Sequence, residues 1–287
     1  MLERGRAFLE RQGLEEYRLE AELLVAFALG LTRLKLFMEL DRPVEPDEVD
    51  RARELLMQRA KRVPVAYLTG EREFYGRGFH VEPGVLVPRP ETELLVDLVR
   101  DRAKGVLYPA GGAKVMDVGT GSGCVAVTLA LELAGSTVDA VDISPKAIGI
   151  AMDNAARLGA DVTFHEGDGL RPWDGSSDRF DFIVSNPPYI DPETADQLAA
   201  DVRDYEPAEA LFAPPGDPDH WAERLVREGL PLLRPEGALF VELGYDQAER
   251  LRELFPPHLD ARFHADLAGI ERVLEVPARQ ALSAREA

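Results

Sequence analysis

Four consecutive residues carry the sharpest chemical signal in this chain. Asn186, Pro187, Pro188 and Tyr189 close a short apolar run in VSNPPYI, residues 184–190. Neither proline has a backbone N–H, so the strand ladder must stop there. The Asn186 side chain offers one acceptor oxygen and one donor nitrogen. The Pro187 carbonyl is a second acceptor, held at a fixed angle by its ring. Two such acceptors can grip both hydrogens of a planar –NH2 group, and Tyr189 can lie against its face or edge. The stretch therefore suits presentation of an amide or aromatic amino nitrogen to an electrophile.

A second signal lies upstream, in DVGTGSG, residues 117–123. Gly119, Thr120, Gly121, Ser122 and Gly123 form a G-x-G-x-G turn; the last glycine of the full dinucleotide fingerprint would fall on Cys124. Glycines permit a tight turn and close approach of a ligand to the backbone. The helix that follows offers unpaired N–H groups to a phosphate or a carboxylate. In an S-adenosylmethionine (SAM) site the same turn cradles the methionine part. Asp142 ends the next strand, 19 residues beyond Gly123. A carboxylate at that spacing can accept both ribose hydroxyls. Asp168, in EGDG, ends a third strand and could receive an adenine amino group. Each aspartate would also serve as a helix cap or a solvated loop residue. It is their placement at successive strand tips that points to SAM, and hence to an amino group aimed at a sulfonium methyl.

These residues need a scaffold that brings strand ends together. From residue 114 the sequence alternates. A strand followed by the glycine turn is expected over 114–121, and further strands at 137–144, 161–168, 179–190, 237–244 and 272–278. Helices are expected at 122–134, 145–159, 219–233 and 246–255. This rhythm predicts an α/β fold with a doubly wound, mostly parallel sheet. The final residues, 278–287, read as a frayed tail. Upstream, residues 1–62 read as a helical bundle. Residues 15–31 carry Leu19, Leu23, Leu24, Ala26, Phe27 and Leu31 at helical spacing, and 45–62 open with acids and close with bases. Residues 64–90 mix β-formers with Gly and Pro. They suggest a hairpin-like connector with short strands at 79–81 and 85–87, before a helix at 91–102. The expected division is 1–63 helical, 64–90 connector and 91–287 catalytic.

Composition narrows the class. No apolar run approaches the roughly 18 residues of a membrane span, and the N-terminus carries charges where a secretory signal needs an apolar stretch. Cys124 is the sole cysteine and the five histidines are scattered, so neither a disulfide nor a metal is expected. A cytoplasmic setting fits. Residues 1–64 hold 12 basic and 13 acidic side chains, so −18 of the total charge of −19 falls on the rest. An acidic body repels nucleic-acid phosphates, which disfavours a direct nucleic-acid substrate.

Taken with YLTGEREF (67–74), VPRPETE (87–93), VDIS (141–144) and DVRDYEPAEAL (201–211), these motifs make the chain resemble the HemK/PrmC family. Its members are protein-(glutamine-N5) methyltransferases acting on peptide chain release factors. The resemblance covers nearly the whole chain. It implies a Rossmann-like SAM-dependent sheet whose last strand is antiparallel, preceded by a small helical substrate-recognition domain. It implies that SAM is converted to S-adenosylhomocysteine and that the substrate is the glutamine of a release factor's Gly-Gly-Gln loop, with consequences for translation termination. Gly119 to Gly123 would line the methionine, Asp142 the ribose, and Asp168 and Gly169 the adenine. Asn186, Pro187, Pro188 and Tyr189 would hold the glutamine amide. Arg89, Pro90 and Glu91 would border the pocket, with Phe74 a weaker candidate. Gly169 departs from relatives with a large aromatic there, which removes a stacking partner. A monomer is expected. Other readings are a glutamine methyltransferase of a ribosomal protein, an N6-adenine methyltransferase, and a SAM-binding module without catalysis.

Overall fold

The computed structural model describes residues 1–104 and 112–278. These divide into two compact units. One comprises Met1–Glu71, Val81–Pro83 and Leu198–Tyr205; the other comprises Arg72–His80, Gly84–Gln197 and Glu206–Ala287.

The first unit is helical: α1 (Leu2–Arg11), α2 (Tyr17–Ala28), α3 (Arg33–Met38), α4 (Pro46–Ala60) and α5 (Val65–Thr69). α4 starts as its sequence foretells, with Pro46 at the first helical position and a reciprocal capping box between Glu45 and Glu48. Leu9, Leu14, Ala21, Leu24, Val25, Leu36 and Leu56 form the core. The apolar spacing of α2 is only half used inward. Leu24 and Ala26 are buried, while Leu19, Leu23 and Phe27 stay exposed. α2 has apolar residues on two stripes, and Ala21, Val25 and Ala28 complete the inner one. Buried Arg59 holds the unit's distant segment. It bonds Glu20 through Nε (2.9 Å) and Nη2 (2.7 Å), and Asp201 at 3.1 Å.

The second unit opens with a hairpin, β1 (Glu71–Phe74) and β2 (Arg77–His80). Tyr75 and Gly76 both take positive φ (52° and 70°) at its tip, the geometry of a tight two-residue hairpin turn. The strand expected at 79–81 therefore belongs to β2. The strand expected at 85–87 does not form. Pro83, Pro88 and Pro90 remove donors around it, and the Val87 N–H bonds the Glu206 carboxylate at 3.0 Å instead of a ladder partner. After a 3-10 turn at Pro90–Thr92 come α6 (Glu93–Lys104), β3 (Lys114–Val118), α7 (Cys124–Glu132), β4 (Thr137–Asp142), α8 (Pro145–Leu158), β5 (Val162–Glu166) and β6 (Phe180–Ser185). α9 (Ala200–Tyr205) belongs to the helical unit. Then follow α10 (Ala208–Leu211), α11 (His220–Gly229), β7 (Leu233–Glu242), α12 (Gln247–Leu254), β8 (Arg262–Ala265) and β9 (Glu271–Pro277).

Among the described residues seven strands make one sheet in the order β5-β4-β3-β6-β7-β9-β8. The first five run parallel; β9 is antiparallel to both β7 and β8. The expected Rossmann-like sheet and its antiparallel last strand are both present. β8 escaped the sequence reading because a four-residue, half-exposed edge strand has no apolar alternation. Side chains alternate across the sheet. Val115, Ala140, Phe182, Val184 and Phe240 face α6, α7 and α8 in one core. Met116, Val141, Ile183, Leu239 and Val241 face α11 and α12 in the other. Burying a side chain of this size contributes about 1.5–3 kcal/mol, and the two cores fix the strand tips rigidly. Ala278 is buried against the second core, so the frayed tail does not begin there; the rest of that segment lies outside the described residues.

Candidate active site

The strand order reverses between β3 and β6, and open α/β sheets bind ligands at the carboxyl ends flanking such a point. The glycine turn leaves β3 and the NPPY segment leaves β6. Ser185 ties the two tips, its hydroxyl donating to the Val118 carbonyl at 2.7 Å.

Asp117, the last polar residue of β3, organises the turn. Its buried carboxyl accepts from the Thr120 hydroxyl (2.7 Å) and the Ala126 N–H (3.1 Å). Burial pushes it up to about 7, against those two hydrogen bonds. Gly119, Gly121 and Gly123 all have positive φ, but space separates their roles. Added Cβ atoms at Gly119 and Gly121 would meet nothing within 4 Å, whereas one at Gly123 would sit 3.0 Å from the Ala151 Cβ. The first two keep a face open beside the turn; the third lets α7 start against α8. Thr120 and Ser122 are buried. Asn154, fully buried on α8, bolts the turn to the hairpin. It donates to the carbonyls of Ser122 and His80 and accepts from the His80 N–H.

Asp142 lies at the tip of β4. It accepts from the Gly121 N–H at 2.8 Å and the Ser144 N–H at 2.9 Å. Burial raises its pKa despite these bonds. A carboxylate has about four acceptor sites, so capacity for a diol remains. The open glycine face and this acceptor fit a SAM methionine and ribose. Asp168 is differently occupied. Arg224 reaches it at 2.6 Å and Arg171 at 2.5 Å, and the Arg224 bond holds its pKa low. Gly169 has φ +62°, and a Cβ there would lie 2.9 Å from Arg224 Nη2 and 3.6 Å from the Trp221 ring. The left-handed backbone favours glycine, and any side chain there would displace the Arg224 guanidinium. The Arg224 guanidinium stacks 4.7 Å from the Trp221 centroid, so an aromatic ring does stand beside Gly169.

Asn186 is half-buried. Its Nδ2 donates to the Thr92 hydroxyl at 3.1 Å, which leaves Oδ1 as the acceptor on the other side of the amide. Pro187 is buried, and Pro188 and Tyr189 are half-buried. The Tyr189 ring backs onto Gly244, where a Cβ would approach it to 3.1 Å. Burial, then the nearby Glu242 charge, raises the Tyr189 pKa, so the phenol is neutral. Ile190 leaves the segment through hydrogen bonds to Leu211 and Ala213 at 3.1 and 2.9 Å. Arg89 bonds buried Glu206 at 2.6 Å, and Glu91 and Pro90 are exposed beside it. Glu206 thus ties VPRPETE to the segment that opens α10. Phe74 does not border the site; it is buried in the core, edge-on to Phe79. Among the described residues no cluster of three or more His, Cys, Asp or Glu could hold a metal.

The chain matches the PrmC N-terminal domain family over residues 1–70 and the Methyltransferase small domain family over 91–204. It is 42% identical over 277 residues to the release factor glutamine methyltransferase of Geobacter sulfurreducens, covering 96% of this chain and 94% of that protein. To the protein of that name in Bacillus subtilis it is 41% identical, covering 86% and 85%. The chain belongs to the release factor glutamine methyltransferase family. SAM is the methyl donor of this family. Solved structures agree in fold: the catalytic domain of hMettl16 with an RNA hairpin aligns at TM-score 0.54 and 18% identity over 78% of this chain and 82% of that one. A T. thermophilus 16S rRNA methyltransferase with AdoMet and guanosine aligns at 0.51 and 22%, over 73% and 50%.

Family membership accounts for motifs that are far apart in sequence and adjacent at the strand tips. It does not by itself identify Thr92, Asp117, Asn154, Glu206 or Glu242. All five are buried polar residues, and each has a structural neighbour among the motif residues. Thr92, Asp117 and Glu206 lie inside quoted motifs, where glycine, proline and charged neighbours carry the stronger local signal. No local signal marks Asn154 or Glu242.

Proposed function

We propose that this protein transfers the methyl group of SAM to the side-chain amide nitrogen, N5, of the glutamine in the Gly-Gly-Gln motif of peptide chain release factors. The observation that carries the reading is Asn186, anchored through Nδ2 with its oxygen left as an acceptor at the tip of β6, in a chain 42% identical to a release factor glutamine methyltransferase. The backbone from Gly119 to Gly123 would hold the methionine part of SAM and Asp142 the ribose. Trp221, Gly169 and Asp168 would border the adenine. When bound, SAM supplies an electrophilic methyl on sulfur.

The protein's own task is to orient a poor nucleophile. An amide nitrogen has a delocalised lone pair. Asn186 Oδ1 and the Pro187 carbonyl would each accept one of its hydrogens, with Pro188 holding the angle and Tyr189 packed on the amide plane. Arg89 and Glu91 would line the entrance. In-line positioning of this kind can remove about 7–11 kcal/mol of barrier in favourable cases. No strong base is needed at the start, because the amide proton becomes acidic as the new bond forms. Glycines flanking the target glutamine let it extend into a narrow pocket. The helical unit would grip the body of the release factor. The exposed stripe of Leu19, Leu23 and Phe27 on α2 supports that role. The enzyme would act as a cytoplasmic monomer; among the described residues no helix is long and apolar enough to cross a membrane.

The test is transfer of labelled methyl from SAM to purified release factor, ribosomal proteins and duplex DNA, followed by mapping of the modified residue. Label on the Gly-Gly-Gln glutamine is expected. Label on a ribosomal protein alone would redirect the substrate, and label on adenine would overturn the amide reading.

A further inference from the structure

Glu242 ends β7 beside the NPPY strand. Ser185 and Val241 are the last paired positions of β6 and β7, so Asn186 and Glu242 are the next residues on adjacent strand tips. Glu242 is 3% exposed and Thr92 is 2% exposed. Thr92 is the side-chain neighbour whose hydrogen bonding lowers the Glu242 pKa, and its hydroxyl also takes the Asn186 Nδ2 hydrogen. One oxygen of Glu242, Oε2, is buried with no hydrogen bond among the described residues. A buried carboxyl with one oxygen left unpaired is costly to keep.

We infer that Glu242 is a positioning residue for methyl transfer, fixing through Thr92 which end of the Asn186 side-chain amide faces the substrate. The inference rests on the reading of Asn186 as an acceptor for the glutamine amide. A hydroxyl has one proton to give. With Glu242 ionised, Thr92 must donate to it and can only accept from Asn186. Nδ2 is then held inward and Oδ1 faces the substrate. With Glu242 protonated, the carboxyl can donate to Thr92, and the freed hydroxyl proton can bond Asn186 Oδ1 in a flipped amide. The flipped amide presents donors to a group that itself donates, and the substrate –NH2 loses its acceptor.

Glu242 is poised for that change. Burial pushes its carboxyl up to about 7; Glu91 adds to the rise, and Thr92, Arg272 and Arg89 oppose it. Tyr189 and Cys124 also face its charge. Thr92 and Glu91 come from the 3-10 turn, Arg89 from the loop before it, Arg272 from β9, Tyr189 from the β6 exit and Cys124 from the start of α7.

The experiment uses the full chain, labelled SAM and a purified release factor with an unmodified Gly-Gly-Gln glutamine. Rates are taken across neutral pH. The parent kcat should fall as pH drops through about 7. Glu242→Gln can donate to Thr92 at every pH. It should lower kcat roughly tenfold or more, as small misplacements of a reacting group do, leave the KM for SAM unchanged, and abolish the acid limb. Thr92→Val should do the same, while Thr92→Ser, which keeps the hydroxyl, should restore both rate and limb. Should Glu242→Gln fail to fold, the Thr92 pair decides alone. A parent rate and parent acid limb in Thr92→Val overturn the inference, as does a Thr92→Ser enzyme as slow as Thr92→Val. Asn186→Ala separates the two levels. If it transfers methyl at the parent rate, the Asn186 reading itself fails. If it is inactive while Thr92→Val is not, only the role of Glu242 fails.

Discussion

Asn186 and Asp142 stand at neighbouring strand tips, yet their substitutions should fail in different ways. Among the described residues the Asn186 side chain makes one hydrogen bond, through Nδ2 to Thr92, and none to the glycine turn. Asn186→Ala should therefore bind SAM with parent affinity by calorimetry. Methyl transfer should fall about 100-fold or more, the usual loss when a preorganised polar partner of the reacting group is removed. Parent activity in that variant would remove Asn186 from the amide site. Asp142 instead accepts from the Gly121 and Ser144 N–H groups. Asp142→Ala strips the acceptor proposed for the ribose and frees two backbone donors. A hydrogen bond to a charged group is worth about 1.5–3 kcal/mol, so the SAM Kd should rise roughly 10- to 100-fold. An unchanged Kd would exclude it from the cofactor site.

Among the elements, the turn between β3 and α7 shows how much a sequence can disclose. Gly121 and Gly123 look alike in DVGTGSG, and both have positive φ (55° and 79°). Only their surroundings differ. Gly123→Ala would drive a methyl to 3.0 Å from the Ala151 Cβ and 3.2 Å from its Cα, and should lower the Tm. Gly121→Ala meets nothing within 4 Å. It should carry only the left-handed backbone cost of about 1–2 kcal/mol, but place its methyl on the face proposed for SAM. Thermal unfolding and SAM titration of both variants check this. Equal losses of affinity would mean that the open face is not the cofactor's. The glycine turn, the strand rhythm and NPPY were legible because they are local: a breaker, an alternation, a rigid tetrapeptide. Asn154 and Glu242 were not legible. An Asn in a helix and a Glu at a strand end are ordinary until the sheet order buries them against a particular neighbour. The exposed stripe of α2 misled for the opposite reason, since apolar spacing identifies a helix but not which of two stripes faces the core. The expected strand at 85–87 failed because the pattern of valines outweighed the prolines around them, and a distant carboxylate, Glu206, took the Val87 N–H.

For the molecule as a whole, buried acids set an unusual dependence of stability on pH. Asp117 and Glu242 are each pushed up to about 7 by burial, from ordinary values near 4. Between those limits the folded protein holds protons that the unfolded chain has released. Their contribution to stability is complete below the unfolded pKa and is lost as pH rises through about 7. Carboxylates held low, such as Asp168 beside Arg224 and Asp266 bonded by the Ile270 N–H, act in the opposite sense. They stabilise above their unfolded pKa and lose that contribution as pH falls through the folded one. The net curve mixes both, so the prediction is a difference. Asp117→Asn keeps an acceptor for Thr120 and Ala126 but cannot ionise. Relative to the parent, its stability should improve as pH rises from about 4 to about 7, with the gap constant below and flattening above. Both tryptophans, Trp173 and Trp221, lie in the sheet-containing unit. Denaturant titrations followed by tryptophan emission on the full chain therefore report the unit that holds Asp117. Parallel curves for parent and Asp117→Asn across that range would mean that Asp117 is ionised in the folded protein at the same pH as in the unfolded chain. The glycine turn would then be organised by a carboxylate and not by a neutral carboxyl.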